Sequence, residues 1–225
     1  MSRLQSRAPA PERIRFAGRP GRHGYLFELS GGALCLDLAN TLDQRRAASP
    51  RELLGSYGDL LSWGLQAGAL GKDDAARLNA RALRQPAEAK RALERARRLR
   101  ETLFAIFSAA AHQRALPGPE LERFNEALRS ALAHLRLAAE GRAATWRWSG
   151  ARHLERVLWP VIRSGTELLT AETLERVREC AGRDCAWLFL DRSRNRTRRW
   201  CDMTVCGNRE KVRRFRQRSP RSHSS

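Results

Sequence analysis

Four of the five cysteines fall in one short stretch, CAGRDCAWLFLDRSRNRTRRWCDMTVCGNREKVRRF, as Cys180, Cys185, Cys201 and Cys206. Their spacing is C-x4-C, fifteen residues, then C-x4-C. Structural zinc takes four thiolate or imidazole ligands in a tetrahedron, and two close pairs separated by a short excursion supply such a set. Each four-residue gap lets the chain form a knuckle that turns two sulfurs toward one metal. Four protein sulfurs also close the coordination shell, so the expected ion is a single structural Zn2+ and not a catalytic one that keeps a water position open. A segment this short buries too little apolar surface to fold alone, and metal binding supplies the missing stability. Disulfides are the competing reading, but matched pairs in a reducing compartment favour the metal. Cys35 stands apart inside an apolar run and reads as a buried core thiol.

Charge is the second chemical signal. The 225 residues carry a net +19, and 40 of the 43 basic side chains are Arg. Residues 1–24 hold six Arg against one acid, residues 180–225 hold 13 basic against 4 acidic side chains, and the 155 residues between them hold 24 against 19. A uniform compositional bias would not concentrate the excess at both ends, so a local footprint for a polyanion is the better reading. A terminal helix from about Gly207 to Gln217 would set Val212 and Phe215 against the zinc knuckles. Arg209, Arg213 and Arg216 would then lie on one face, with Lys211, Arg214 and Arg218 on another. Arg198 and Arg199, with Arg192, Arg194 and Arg196, form a second strip on the loop between the cysteine pairs. Arg suits phosphate and bidentate guanine contacts; a solvated charged face is the alternative. Trp187 and Trp200 read as miniature core beside the knuckles.

The elements that position these residues follow from periodicity. Residues 1–24 read as a flexible basic arm and 219–225 as a disordered tail. Tyr25 to Leu42 reads as a strand, a Gly-Gly turn and a first helix. Capping boxes are expected at Ser49–Glu52 and at Ser56–Asp59, with Gly68 stopping the second helix. A long helix is expected over 86–114, with Ala89, Leu93, Ala96, Leu99, Leu103, Ile106 and Ala110 as its buried stripe. Another spans about 119–133, with Leu121, Phe124, Leu128 and Leu132 inward. Alternation about Glu140-Gly141 predicts a hairpin at 134–148, with Trp146 and Trp148 on its core side. Helix returns at 151–169, kinked or split by Pro160. Trp187–Leu190 reads as a strand of the cysteine module. The expected fold is mainly α (α+β), with a helical domain over 25–172 and a four-cysteine finger over 173–218.

Asp37, Asn40 and Asp43 recur every three residues along the first predicted helix. Two readings stand: Asp37 and Asn40 belong to a small-molecule or interdomain pocket, or they are caps and buried hydrogen-bond anchors, which is favoured. No phosphate-binding glycine loop, nucleophile elbow or His-Glu-x-x-His helix occurs, so no enzyme is expected. No apolar run reaches the roughly 18–20 residues of a membrane helix, and the basic start lacks a secretory core, so the cytoplasm is the expected compartment.

The cysteine segment, with Cys206-Gly207-Asn208-Arg209, resembles the CGNR zinc-finger family. GGALCLDLANTLD, the W-G-L at 63–65 and the Trp146/Trp148 hairpin are similar to the N-terminal ABATE-type domain, a stress-induced transcription regulator, that accompanies this finger. Leu38 stands where that family commonly has Phe. The resemblance covers about residues 25–216. It implies treble-clef-like knuckles with a hairpin and terminal helix, and a bacterial DNA-binding regulator in which the finger reads DNA and the helical domain senses a ligand. An RNA-binding zinc module and a finger for an acidic protein partner are the rival functions. A homodimer would suit a two-fold DNA site.

Overall fold

Two short strands open the described part of the chain, which in this computed structural model covers residues 18–21 and 24–218. β1 (Gly18–Gly21) pairs antiparallel with β2 (Gly24–Phe27). The expected arm over 1–24 therefore gives way to strand at Gly18. Residues 1–17, 22 and 23, and the tail 219–225, lie outside the described residues.

The Gly-Gly turn leads into α1 (Leu34–Ala39), a helix of 6 residues that buries Cys35, Leu36, Leu38 and Ala39. Cys35 is the buried thiol expected, and desolvation pushes its pKa up to about 12. The helix ends at Asn40, so Asp43 does not share a helical face with Asp37 and Asn40. Asp43 instead lies in β3 (Leu42–Asp43), paired with β4 (Arg51–Glu52) and 3.2 Å from the Arg51 guanidinium. This also overturns the capping box at Ser49–Glu52. The Glu52 carboxylate accepts from Arg100 at 2.6 Å and from the Leu54 N–H at 2.8 Å, so tertiary partners outcompete the local cap.

α2 (Tyr57–Gln66) does start on its predicted box: Asp59 N–H donates to the Ser56 hydroxyl, and the Asp59 carboxylate accepts from Ser56 N–H at 2.8 Å. Gly68, at φ +75°, follows the C-cap and lets the chain turn away. α3 (Lys72–Arg84) is a helix absent from the expected elements; it buries only Ala75 and Leu78, so its apolar stripe is weak.

α4 (Pro86–Ala111) runs 26 residues through the centre. The predicted stripe is buried from Ala89 to Ile106, with Ala110 half-buried at its end. α5 (Gly118–Leu132) buries Phe124 against it, whereas Leu132, expected inward, is 50% exposed. The hairpin forms as β5 (Leu135–Glu140) and β6 (Ala143–Trp148), turning at Gly141. Only its base reaches the core: Trp148 is half-buried near Trp159, while Trp146, expected in the core, is 52% exposed opposite exposed Leu137. Pro160 splits the next segment into a 3-10 turn, Leu154–Leu158, and α6 (Trp159–Leu169).

A second 3-10 turn precedes β7 (Val177–Glu179), which pairs with β8 (Leu188–Leu190). A π turn at Met203–Gly207 then feeds α7 (Asn208–Arg218). One continuous apolar core runs from Phe27 through α1, α4 and α6 to Leu188, Phe189 and the four clustered cysteines. The architecture is mainly helical with small antiparallel sheets, as the sequence predicts. Among the described residues no helix is long and apolar enough to cross a membrane.

Candidate metal centre

Cys180 follows β7 and Cys185 precedes β8, so the first pair occupies the turn of this hairpin. Ala186 adopts φ +63°, a left-handed conformation that costs a residue with a Cβ and is held by its complete burial in the knuckle. The Gly182 N–H points at Cys180 Sγ at 3.4 Å. A Cβ on Gly182 would sit 3.4 Å from Cys206 Sγ and 3.5 Å from Cys180 Sγ, in the space between the sulfurs.

The second pair is held differently. Asp202 caps the π turn, its carboxylate accepting from Thr204 N–H at 2.6 Å and Val205 N–H at 2.9 Å. The wide turn presents Cys206 at the entry to α7, at the helix N-terminus expected for the last ligand. All four thiols are buried and none is in a disulfide.

The four Sγ atoms lie within 4.8 Å of one another, and the Cys185–Cys201 and Cys201–Cys206 pairs are each 3.7 Å apart. That is too long for a disulfide and close to the edge of about 3.8 Å that a tetrahedron with Zn–S near 2.3 Å requires. The thiols form one coupled set. Cys185, Cys201 and Cys206 donate toward Cys180, which pushes its pKa down, while Cys185 and Cys201 are pushed up by the same proximity to Cys180. The cluster thus favours the thiolate at Cys180, while Cys185 and Cys201 resist ionisation until a cation shares the charge. The donor set fits one zinc ion with no open position.

The module is fastened to the helical domain along its length. Leu190 N–H donates to Gly31 C=O at 2.8 Å and the Arg192 guanidinium to Gly32 C=O at 3.0 Å. The Asn40 amide exchanges two 2.8 Å bonds with the backbone of Leu188, one in each direction. Trp187 Nε1–H reaches Leu42 C=O, and Arg45 and Arg46 N–H donate to the carbonyls of Cys185 and Asp184. Residues 31–46 thus zip along 184–192. Gly31 is required by close approach, since a Cβ there would lie 2.9 Å from Asp37 Oδ1 and Leu36 Cβ. The Asp37 carboxylate accepts from Gly31 N–H at 2.8 Å, and burial raises its pKa to about 7. Asn40 is buried with both ends of its amide committed to β8.

The candidate arginines divide by what they touch. Arg198 donates to the carbonyls of Trp200 and Cys201 and lies over the Phe189 ring at 4.4 Å, so it braces the loop between the cysteine pairs. Arg199 lies 5.4 Å over Trp200, which is half-buried against the core. Arg192 and Arg196 are engaged with Gly32 and Glu175. Asp191, fully buried, organises this loop through Ser193 N–H and Arg198 N–H, both 2.9 Å away. Trp187 is core, as expected.

On α7 the packing is the reverse of the expectation. Val212 is 50% and Phe215 72% exposed, whereas Glu210 turns inward, with its side chain 11% exposed, and binds Arg213 and Arg214 at 2.6 and 3.1 Å. The cause is phase: Glu210 is four residues beyond Cys206 and shares its helical face, while Val212 and Phe215 fall on the other side. Arg209, Arg213 and Arg216 line one cleft beside Val212, and Lys211 is exposed. Asp191, Asp202, Glu210 and Gly182 escaped the sequence reading. Asp191-x-Ser193 and Asp202-x-Thr204 are turn-forming pairs that could have signalled the first two.

Comparison with known families agrees with this geometry. Residues 176–219 match the CGNR zinc finger, and residues 32–172 match ABATE, described as "putative stress-induced transcription regulator". No curated protein matches the sequence. Neither matched family is an enzyme family. With a zinc-fitting thiol cluster zipped to a helical body, and with both segments matched in this order, the chain belongs to the ABATE family and carries a C-terminal CGNR zinc finger.

Proposed function

We propose that this chain is a transcriptional regulator that binds duplex DNA by laying α7 in the major groove. The carrying observation is that α7 stands clear of the body. Every residue from Lys211 to Gln217 is exposed, and the helix carries six basic side chains against Glu210. A helix of 11 residues is too short to be robust alone, and charge repulsion weakens it further, so an anionic groove is its natural complement. At about 1.5 Å per residue it spans roughly 16 Å, and the major groove admits a helix of this kind.

The division of labour follows from the contacts. Zinc at the four cysteines fixes the root of α7, and the zip along residues 31–46 fixes the finger on the helical domain. Lys211 and Arg216 make no ion pair with any described residue and are the readiest phosphate contacts. Arg209 and Arg213 line the cleft beside Val212, where a guanidinium reaches base edges. Arg214 shares Glu210 with Arg213 and contributes less net charge. Arg198 and Arg199 support the loop rather than the ligand.

Phe215 supports a second reading. An exposed aromatic ring beside Lys211 and Arg214 is a platform for an unstacked base, which would favour single-stranded RNA. Selection from a random duplex library by the zinc-loaded protein at about 150 mM salt separates the readings. An enriched motif that disappears with Cys201→Ser supports the DNA regulator. Preference for single strands, lost with Phe215→Ala, supports RNA. Weak binding that is blind to sequence and strandedness refutes both in favour of an acidic protein partner.

A further inference from the structure

Val212 is placed on α7 where the free protein gains nothing from it. It is 50% exposed in the cleft along the helix, beside Arg209, Arg213 and Arg216, whereas Val205 at the root of the helix is packed against the core. A β-branched side chain lowers helix propensity, and an exposed one gains no packing in return. In a helix of 11 residues that repels itself, this is a cost to the unbound chain. The same stiffness holds both methyl groups of Val212 in one preferred rotamer, so the side chain presents a defined apolar surface.

Phase makes Val212 the centre of the outward face. Glu210 turns inward, and Val212, two residues on, is about 200° around the helix from it. The polar groups around Val212 are chiefly guanidiniums. The Asn208 Nδ2–H donates to Thr204 C=O at 3.0 Å, which occupies one arm of that amide. Gln217, seven residues beyond Glu210, lies toward that residue's side of the cleft. In the major groove both arms of an Asn or Gln amide read adenine, an Arg reads guanine, and an apolar side chain reads the C5-methyl of thymine. The outward face therefore matches a thymine methyl close to a guanine.

We propose that Val212 is the specificity-determining residue of α7 and that it recognises the C5-methyl of thymine, with Arg209 on a neighbouring guanine. This inference rests on the reading of α7 as a major-groove helix. Arg209 and Val212 are three residues apart, about 4.5 Å along the axis, so the two bases fall within one or two steps of about 3.4 Å.

The test starts from the duplex that the zinc-loaded full chain selects from a random library at about 150 mM salt. Each thymine is then replaced in turn by deoxyuridine, which removes only the methyl. One replacement, within two base pairs of a guanine, should weaken binding about fourfold, the value of one buried methyl. Val212→Ala should keep its fold and its zinc and should bind the thymine and uracil duplexes equally. A selected motif in which every thymine is replaced without loss would overturn the assignment of Val212 while leaving α7 as the reader. So would a loss that persists in Val212→Ala, because it would come from duplex shape. If no duplex is enriched, the major-groove reading fails, and this inference fails with it.

Discussion

Removing Lys211 and Arg216 together isolates the charge contribution of α7. Both side chains are exposed, and neither pairs with another described residue, so Lys211→Ala with Arg216→Ala should leave the fold and the zinc content intact. Each neutralised phosphate contributes about 0.9 to the slope of log affinity against log salt, so the double variant should lose about 1.8 from that slope. Between about 50 and 200 mM salt, a fourfold change, the wild type would lose roughly 12-fold more affinity than the variant. Glu210→Gln is the control of opposite sign. It releases Arg213 and Arg214 from a shared carboxylate and should steepen the slope by about 0.9. Fluorescence anisotropy on a labelled duplex at four salt concentrations reads both variants. A double variant with an undiminished slope would refute the assignment of α7 as the DNA-contacting element, whatever its absolute affinity.

Three further outcomes follow from the geometry. Asn40→Ala leaves the buried N–H and C=O of Leu188 unpaired and should cost about 2–5 kcal/mol in urea unfolding; a loss under about 1 kcal/mol would deny the zip its role. Asp37 is raised from 3.8 to about 7 by burial, so its ionisation penalises the fold, and stability from this group is full below pH 4 and lost as pH rises to 7. Asp37→Asn should therefore match wild type near pH 4 and exceed it at pH 8, by at most about 4 kcal/mol at 1.36 kcal/mol per decade; equal melting curves at pH 8 would contradict this. Chelating the zinc, or Cys201→Ser, should strip hydrogen-exchange protection from residues 180–206 while α4 keeps its own, since the metal supplies most of the finger's stability. Uniform protection after chelation would mean that the thiols are not the staple.

What the sequence disclosed, it disclosed where a signal is local. The capping box at Ser56, the stripe of α4, the hairpin about Gly141 and the cysteine pairs are each written within a few residues, and each is found in place. The failures share a different origin. Ser49–Glu52 satisfies the local pattern of a helix start, yet Glu52 is claimed by Arg100, 48 residues away. Asn40 looks like a cap or a pocket group because its partner, Leu188, is 148 residues distant. Trp146 alternates correctly with Trp148, but alternation tells which residues share a face and not how far the body extends beneath it.

The misplacement of Val212 and Phe215 is of another kind, because the information was present in the sequence. Polarity argued that the apolar pair should face the knuckles. Helical phase argued otherwise: Cys206 must turn its sulfur to the metal, and the residue one turn beyond it is Glu210. When a covalent or coordinate anchor sits at a helix start, it sets the rotation of everything after it, and hydrophobic packing acts only on what rotation remains. Here none remains, so the zinc ligand that fixes α7 also dictates that Val212 and Phe215 point outward, flanked by arginines. An apolar stripe displayed this way on a basic helix suits contact with thymine methyl groups or base faces, and it links the metal centre directly to the surface that would read the ligand.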